Sequence, residues 1–282
     1  MSEEYLGAFS PFLAAPGKAV ALAPKLVAWR GGIGLFLPVL CVLLWQFVAA
    51  RGWVEADLLP SPLQVARTLL SMAQDGSLAA DLGATGQRLA LGFLFGALAA
   101  TVMGTLTGAS LRARQFFDPL LQALRNVPSL AWVPLFIIWF GIYDTSKILL
   151  IAVGVFFPVY LNLMNGIAGV DRKLIEVGRV HGYGRLPLMW RVQLPACSPA
   201  YLTGLRGGLG LGWMFVASAE MMGASNGLGF VLTNGEQIGR PDQVVGAILV
   251  FAVCGKIMDW ILARFAGAVT SWQDTVRRDE PV

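Results

Sequence analysis

Long uncharged apolar runs alternate along the chain with short polar connections, and the runs are of membrane length. A helix rises about 1.5 Å per residue, so about 20 apolar residues cross roughly 30 Å of hydrocarbon. Residues 31–50, 89–111, 126–143 and 148–170 qualify, and segments 192–225 and 243–265 are apolar with internal charges. The pattern predicts an all-α integral membrane protein with six transmembrane helices.

The polar pieces divide the chain further. Residues 1–30 mix Pro, Ala and scattered charge without periodicity and read as an N-terminal tail of no assigned function. Residues 31–81 hold the first span and an amphipathic segment, where Ser61 can cap and Pro62 can open a short helix. Leu63, Ala66, Leu69 and Leu70 would share one face of it, resting on the membrane surface. Residues 82–268 form one membrane block with short connections, and 269–282 a C-terminal tail.

Composition agrees. With 56% hydrophobic and 13% charged residues and mean hydropathy +0.65, there is too little polar surface to cover a soluble globule. The net charge of +4 does not imply nucleic acid, because Lys and Arg concentrate in alternate connections, as in cytoplasmic loops. That bias predicts both termini in the cytoplasm, together with the 171–195 loop; Arg88 falls in the outer segment 51–88. The first run is of full spanning length and follows about 30 mixed residues, unlike a cleaved signal peptide. Cys41, Cys197 and Cys254 show no metal or disulfide spacing. His181 is the single histidine and reads as a polar loop residue, leaving no His cluster for metal and no triad.

The 171–195 loop, DRKLIEVGRVHGYGRLPLMWRVQLP, is short, basic and flanked by apolar runs. It reads as a short helix ending at a glycine, a second amphipathic piece, and a proline that starts the next membrane helix. Such a unit presents a rigid knob to something soluble.

Here the chain resembles the permease subunits of ATP-binding-cassette importers, of the binding-protein-dependent type with a methionine-permease-like fold. Their coupling loop carries Glu-Ala-Ala, three residues, Gly, nine residues, Ile-x-Leu-Pro. Glu176, Gly182, Leu194 and Pro195 fall on matching positions at the same spacing, with Val192 in place of Ile. Val177 and Gly178 depart from the two alanines, and the glycine lowers helix propensity by about 1 kcal/mol. The resemblance runs from about Phe117 to Trp260. RNVPSLA, FFPVYLN and GKIMD look most like the aliphatic-sulfonate members of a branch that also serves taurine and nitrate.

The resemblance implies a homodimeric pore in a bacterial inner membrane, two ATPase subunits beneath it and an extracytoplasmic solute-binding protein. It implies import of a small anion, alkanesulfonates first and taurine or nitrate next. Glu176 would sit at the ATPase groove; an ion pair with Lys173 or Arg179 is the local alternative. No G-x-x-x-x-G-K followed by Ser or Thr is present, so this chain is not expected to hydrolyse ATP or to be an enzyme; the resemblance implies that ATP and magnesium belong to the partner ATPase.

Within the spans, Arg206 and Glu220 stand 14 residues apart, about 21 Å along one helix, too far to pair. Arg206 reads either as a structural ion pair or as a guide for an anion. Glu220 would repel an anionic solute and reads as an outer-gate brace. Lys256 and Asp259 are spaced for a local ion pair. Ser129, Asn162, Asn165, Thr203 and Ser218 are candidates for the solute path, each also able to bond between helices. Gly204, Gly207, Gly208, Gly210 and Gly212 suit close helix packing or the lining of a narrow pore. An ion-coupled secondary transporter is the competing class, and would need a coupling-ion site and no ATPase partner.

Overall fold

The computed structural model describes residues 24–55, 58–128 and 131–270. Residues 1–23 and 271–282, which hold most of the two predicted tails, lie outside the described residues. The described residues are helical or turn throughout, with no strand among them. One helix, α1 (Pro24–Ala50), begins earlier than the apolar run at residue 31 and belongs, with the turn up to Trp53, to one compact unit. In that turn Trp53 meets Phe47 edge-on at 5.8 Å.

Residues from Val54 on form a second unit. Its first helix, α2 (Pro62–Gln74), starts where the sequence places it. The Ser61 hydroxyl accepts from Gln64 N, and Gln64 Oε1 accepts from Ser61 N at 2.8 Å, a capping box. Val65 and Thr68 are its buried residues, and Leu63 and Leu70 of the apolar face are exposed. Thr68 donates to Asp242 at the start of α11 (Pro241–Val269).

The centre of the unit is α6 (Asp144–Ala168), held between α3 (Ser77–Ala109) and α9 (Leu194–Met221). On α3, Gly92, Gly96, Ala100, Gly104 and Gly108 recur every fourth residue, so they line one edge of the helix. A methyl on Gly96 would lie 2.4 Å from the Ala152 carbonyl oxygen, and one on Gly92 2.6 Å from Ile151 Cβ. The contacts climb together, Gly92 to Ile151, Gly104 to Leu163 and Gly108 to Ile167, so α3 and α6 run parallel with backbones nearly touching. Against the same helix α9 runs antiparallel, with Gly204 at Asn162 and Gly212 at Val155, and at Gly212 it also meets Leu89 of α3. Small residues permit this approach, which van der Waals packing rewards where lipid supplies no hydrophobic drive. Gly210 faces open space, and a methyl on Gly207 would meet Pro158 Cβ at an ordinary 3.7 Å, so neither is needed for the close approach.

The third predicted span is not one helix. Residues 126–143 contain only α5 (Trp132–Phe140), nine residues long, about 13 Å and well short of the hydrocarbon thickness. Asn126 ends the preceding amphipathic helix α4 (Leu111–Arg125), Pro128 disfavours helix at Val127, and Gly141 at φ +76° closes α5. Hydropathy registers composition but not these stops. Among the described residues, α3, α6 and α11 are long and apolar enough to cross a membrane. An unpredicted helix, α10 (Leu228–Gln237), sits between α9 and α11.

Candidate functional site

The loop leaving α6 forms α7 (Arg172–Val180), capped by Asp171, whose carboxylate accepts from Lys173 N at 2.9 Å. At its other end Gly182 has φ +77°. Gly182 N donates to Arg179 O at 2.9 Å and Tyr183 N to Gly178 O at 3.1 Å, the paired bonds of a Schellman motif, in which glycine takes the left-handed position without strain. The chain then turns through α8 (Arg185–Leu188) and a π-helical turn, Met189–Gln193, into α9. Leu194 begins α9 and packs on Leu163, Ile167 and Cys197; Pro195 occupies its first turn. The departure at Gly178 has a steric reason: a methyl there would fall 2.5 Å from Leu188 Cδ1.

Glu176 is exposed and accepts from Arg172 Nε at 2.9 Å. The partner is Arg172, four residues back, and neither Lys173 nor Arg179. Leu174, Val177, Val180, Leu186 and Trp190 are exposed around it, giving the loop an apolar surface edged with basic residues.

A second cluster lies inside the bundle. Arg88, on α3, is buried rather than part of an outer loop. Its Nη1 donates to Glu220 Oε1 and to Asn226 O, each at 2.8 Å, and its Nε to Asp144 Oδ1 at 2.8 Å. Thr85 Oγ1 and Gly229 N donate to Glu220 Oε2 at 3.0 and 2.8 Å. Leu228 N donates to Thr85 Oγ1, and Gly227 N to Asp81 Oδ1. Gly227, at φ +109°, leaves room for the carboxylate: a methyl there would sit 2.5 Å from Glu220 Oε1. Two fully buried charges are tolerable because each is paired and hydrogen-bonded. The network ties α3, α6 and α9 to the turn before α10. Outside the spans, Arg240 is held above the usual guanidinium range by its hydrogen bonds to Asp242.

The remaining predicted residues are placed as follows. Arg206 makes a two-toothed ion pair with Asp259 of α11, at 2.9 to 3.2 Å. Asp259 is thereby taken by a residue of another helix, and no pair with Lys256 is present among the described residues. Asn162 donates to Pro158 O, Thr203 to Pro199 O and Ser218 to Met214 O. These bonds stay within one helix, as short polar side chains do when a carbonyl four residues back is in reach, instead of crossing between helices. Asn165 is exposed near the end of α6, and Ser129 lies outside the described residues. A cleft of about 320 Å³ between the α4–α5 turn, α6 and α9 is lined by Asn126 and Phe157, which fall in the RNVPSLA and FFPVYLN stretches, and by Trp132 and Met214, which the sequence did not single out.

The model of the family described as "binding-protein-dependent transport system inner membrane component" matches residues 92–271, which include the whole α7 loop, α6, α9 and the second half of α3. The chain belongs to this family. It is 41% identical to the aliphatic sulfonates transport permease SsuC of Bacillus subtilis, over 86% of this chain and 88% of that one. It is 34% identical to the taurine transport system permease TauC of Escherichia coli, over 91% and 97%. In fold, the permease is similar to the MetNI methionine ABC transporter in inward-facing conformations, with TM-score 0.60 and 18% identity over 66% of this chain and 93% of that one. The protein is thus an ABC transport permease of the membrane, and these relatives are permeases, not enzymes.

Proposed function

We propose that the permease forms the translocation path of an ATP-driven importer for small anionic solutes, alkanesulfonates in particular. The observation that carries the solute class is the 41% identity to SsuC along most of both chains. Taurine is the second reading, favoured by the TauC likeness over 91% of this chain.

In this reading α7 is the coupling helix. Its capped ends make it rigid, and its exposed apolar residues, with Glu176 among basic neighbours, suit the groove of a separate ATPase. Two permease copies and two ATPase subunits would form the complex, with ATP and magnesium on the ATPases and a binding protein delivering solute from outside. Six spans would then be made by α1, α3, α4 with α5, α6, α9 and α11, with both termini cytoplasmic. Closure of the ATPases would press the two coupling helices together and turn the bundle from inward-facing to outward-facing.

The test is reconstitution of the whole complex in liposomes with its binding protein. Alkanesulfonate is expected to stimulate ATP hydrolysis and to accumulate only when ATP is present. Accumulation by this chain alone under an ion gradient would instead identify a secondary transporter.

A further inference from the structure

A cleft of about 690 Å³ opens where α3 ends and the loop around α7 folds back. Three separate elements supply its guanidiniums: Arg112 in the first turn of α4, Arg179 in the last turn of α7 and Arg185 at the start of α8. All three are exposed, and none makes an ion pair or side-chain hydrogen bond among the described residues. The first turn of α4 holds no acidic residue, so the positive end of that helix adds to their field instead of being neutralised. Leu106, Ile175 and Leu188 give the same cleft an apolar floor.

A second observation says what kind of anion fits. Leu94, Leu98, Val102 and Leu106 follow one another every fourth residue along α3 and are 50%, 55%, 66% and 44% exposed. They make a continuous apolar stripe, and its last member is part of the cleft. From Leu94 to Leu106 the stripe is about 18 Å long, close to the thickness of one leaflet's hydrocarbon. On a spanning helix such a stripe faces acyl chains, and the basic cleft at its end stands at headgroup depth. A free phosphate would use the guanidiniums and leave the stripe idle; a phospholipid uses both.

We propose that this cleft binds an anionic phospholipid, its phosphate among Arg112, Arg179 and Arg185 and an acyl chain along the α3 stripe. Because two of these arginines belong to the loop that carries α7, the lipid ties that loop to the bilayer surface. The site goes beyond the import reading and is independent of which solute is carried.

The full-length permease in mild detergent, examined by native mass spectrometry with phosphatidylglycerol and phosphatidylcholine of equal chain length, provides the test. Phosphatidylglycerol is expected to be retained in preference. A guanidinium near an anionic headgroup strengthens binding about fivefold, so R112Q/R179Q/R185Q together should weaken phosphatidylglycerol retention about a hundredfold. Arg67→Gln, on α2, should leave it unchanged. If the triple variant does not fold, the three single variants, each expected to lose about fivefold, carry the same test. Equal retention of both lipids, or unaltered retention by the arginine variants, would overturn the proposal. So would displacement of the lipid by equimolar inorganic phosphate, which marks a free-anion site, or its loss whenever ATPase subunits co-purify, which marks a protein-docking surface.

Discussion

Arg88 and Glu220 are 132 positions apart in sequence yet meet at 2.8 Å in the interior, both almost wholly withdrawn from the surface. Arg88 also reaches Asp144, but among the described residues Glu220 has no other cation in contact, so its burial as a charge depends on Arg88. Removing Arg88 alone is expected to be worse than removing both. Arg88→Met, which strands Glu220, should lower stability by about 3–5 kcal/mol, Glu220→Leu by less because Asp144 still holds Arg88, and the double variant should recover much of the first loss. Thermal unfolding of the detergent-purified single and double variants measures this.

The close approach of α3 to α6 makes a graded set of glycine substitutions informative. Gly96→Ala meets the Ala152 carbonyl oxygen at 2.4 Å, whereas the same change at Gly104 meets Leu163 at 3.2 Å and at Gly83 meets nothing. Gly96→Ala is expected to destabilise by about 1–3 kcal/mol, and Gly104→Ala by less. Gly83→Ala should be neutral or stabilising by up to about 1 kcal/mol from helix propensity. The order of melting temperatures checks it.

Gly182 closes α7 in the left-handed region, so Gly182→Ala should strain the turn by about 1–2 kcal/mol while Gly182→Asn is better tolerated. If α7 is the coupling helix, ATP hydrolysis by the reconstituted complex should fall in the alanine variant with little change in permease yield. The asparagine variant should stand between it and the natural chain.

Glu176 offers a cleaner separation of docking from folding. Its ion pair with Arg172 is solvent-exposed, and such pairs contribute under about 1 kcal/mol. Glu176→Lys is therefore expected to leave folded yield unchanged but to abolish co-purification of the ATPase. Undiminished co-purification would remove Glu176 from the docking surface.

The Arg206–Asp259 pair bridges α9 and α11. Arg206→Asp or Asp259→Arg alone places like charges opposite one another and should reduce the monodisperse fraction on size-exclusion chromatography. Exchanging both residues should restore it.

Local features were legible in the sequence because they are local. The Ser61 cap, the glycine that ends α7 and the proline that starts α9 each follow from a few neighbouring residues. The break of the third span at Asn126 and Pro128 escapes a hydropathy average, since many apolar residues outweigh two that stop a helix. The mates of Arg206 and Glu220 were out of reach for another reason: they lie 53 and 132 positions away and are selected by how the helices stack. Spacing along one helix suggested Lys256 for Asp259, and tertiary proximity gave it Arg206. The α7 loop was recognised through fixed spacing, and its Schellman bonds give that spacing a physical reason.

The run of small residues along α3 has a mechanical consequence. With main chains this near over sixteen residues, α3 cannot slip along α6 without driving side-chain bulk into a carbonyl. The two must travel as a single strut. Any swing that opens one mouth and shuts the other therefore pivots at looser seams, leaving this one unbent.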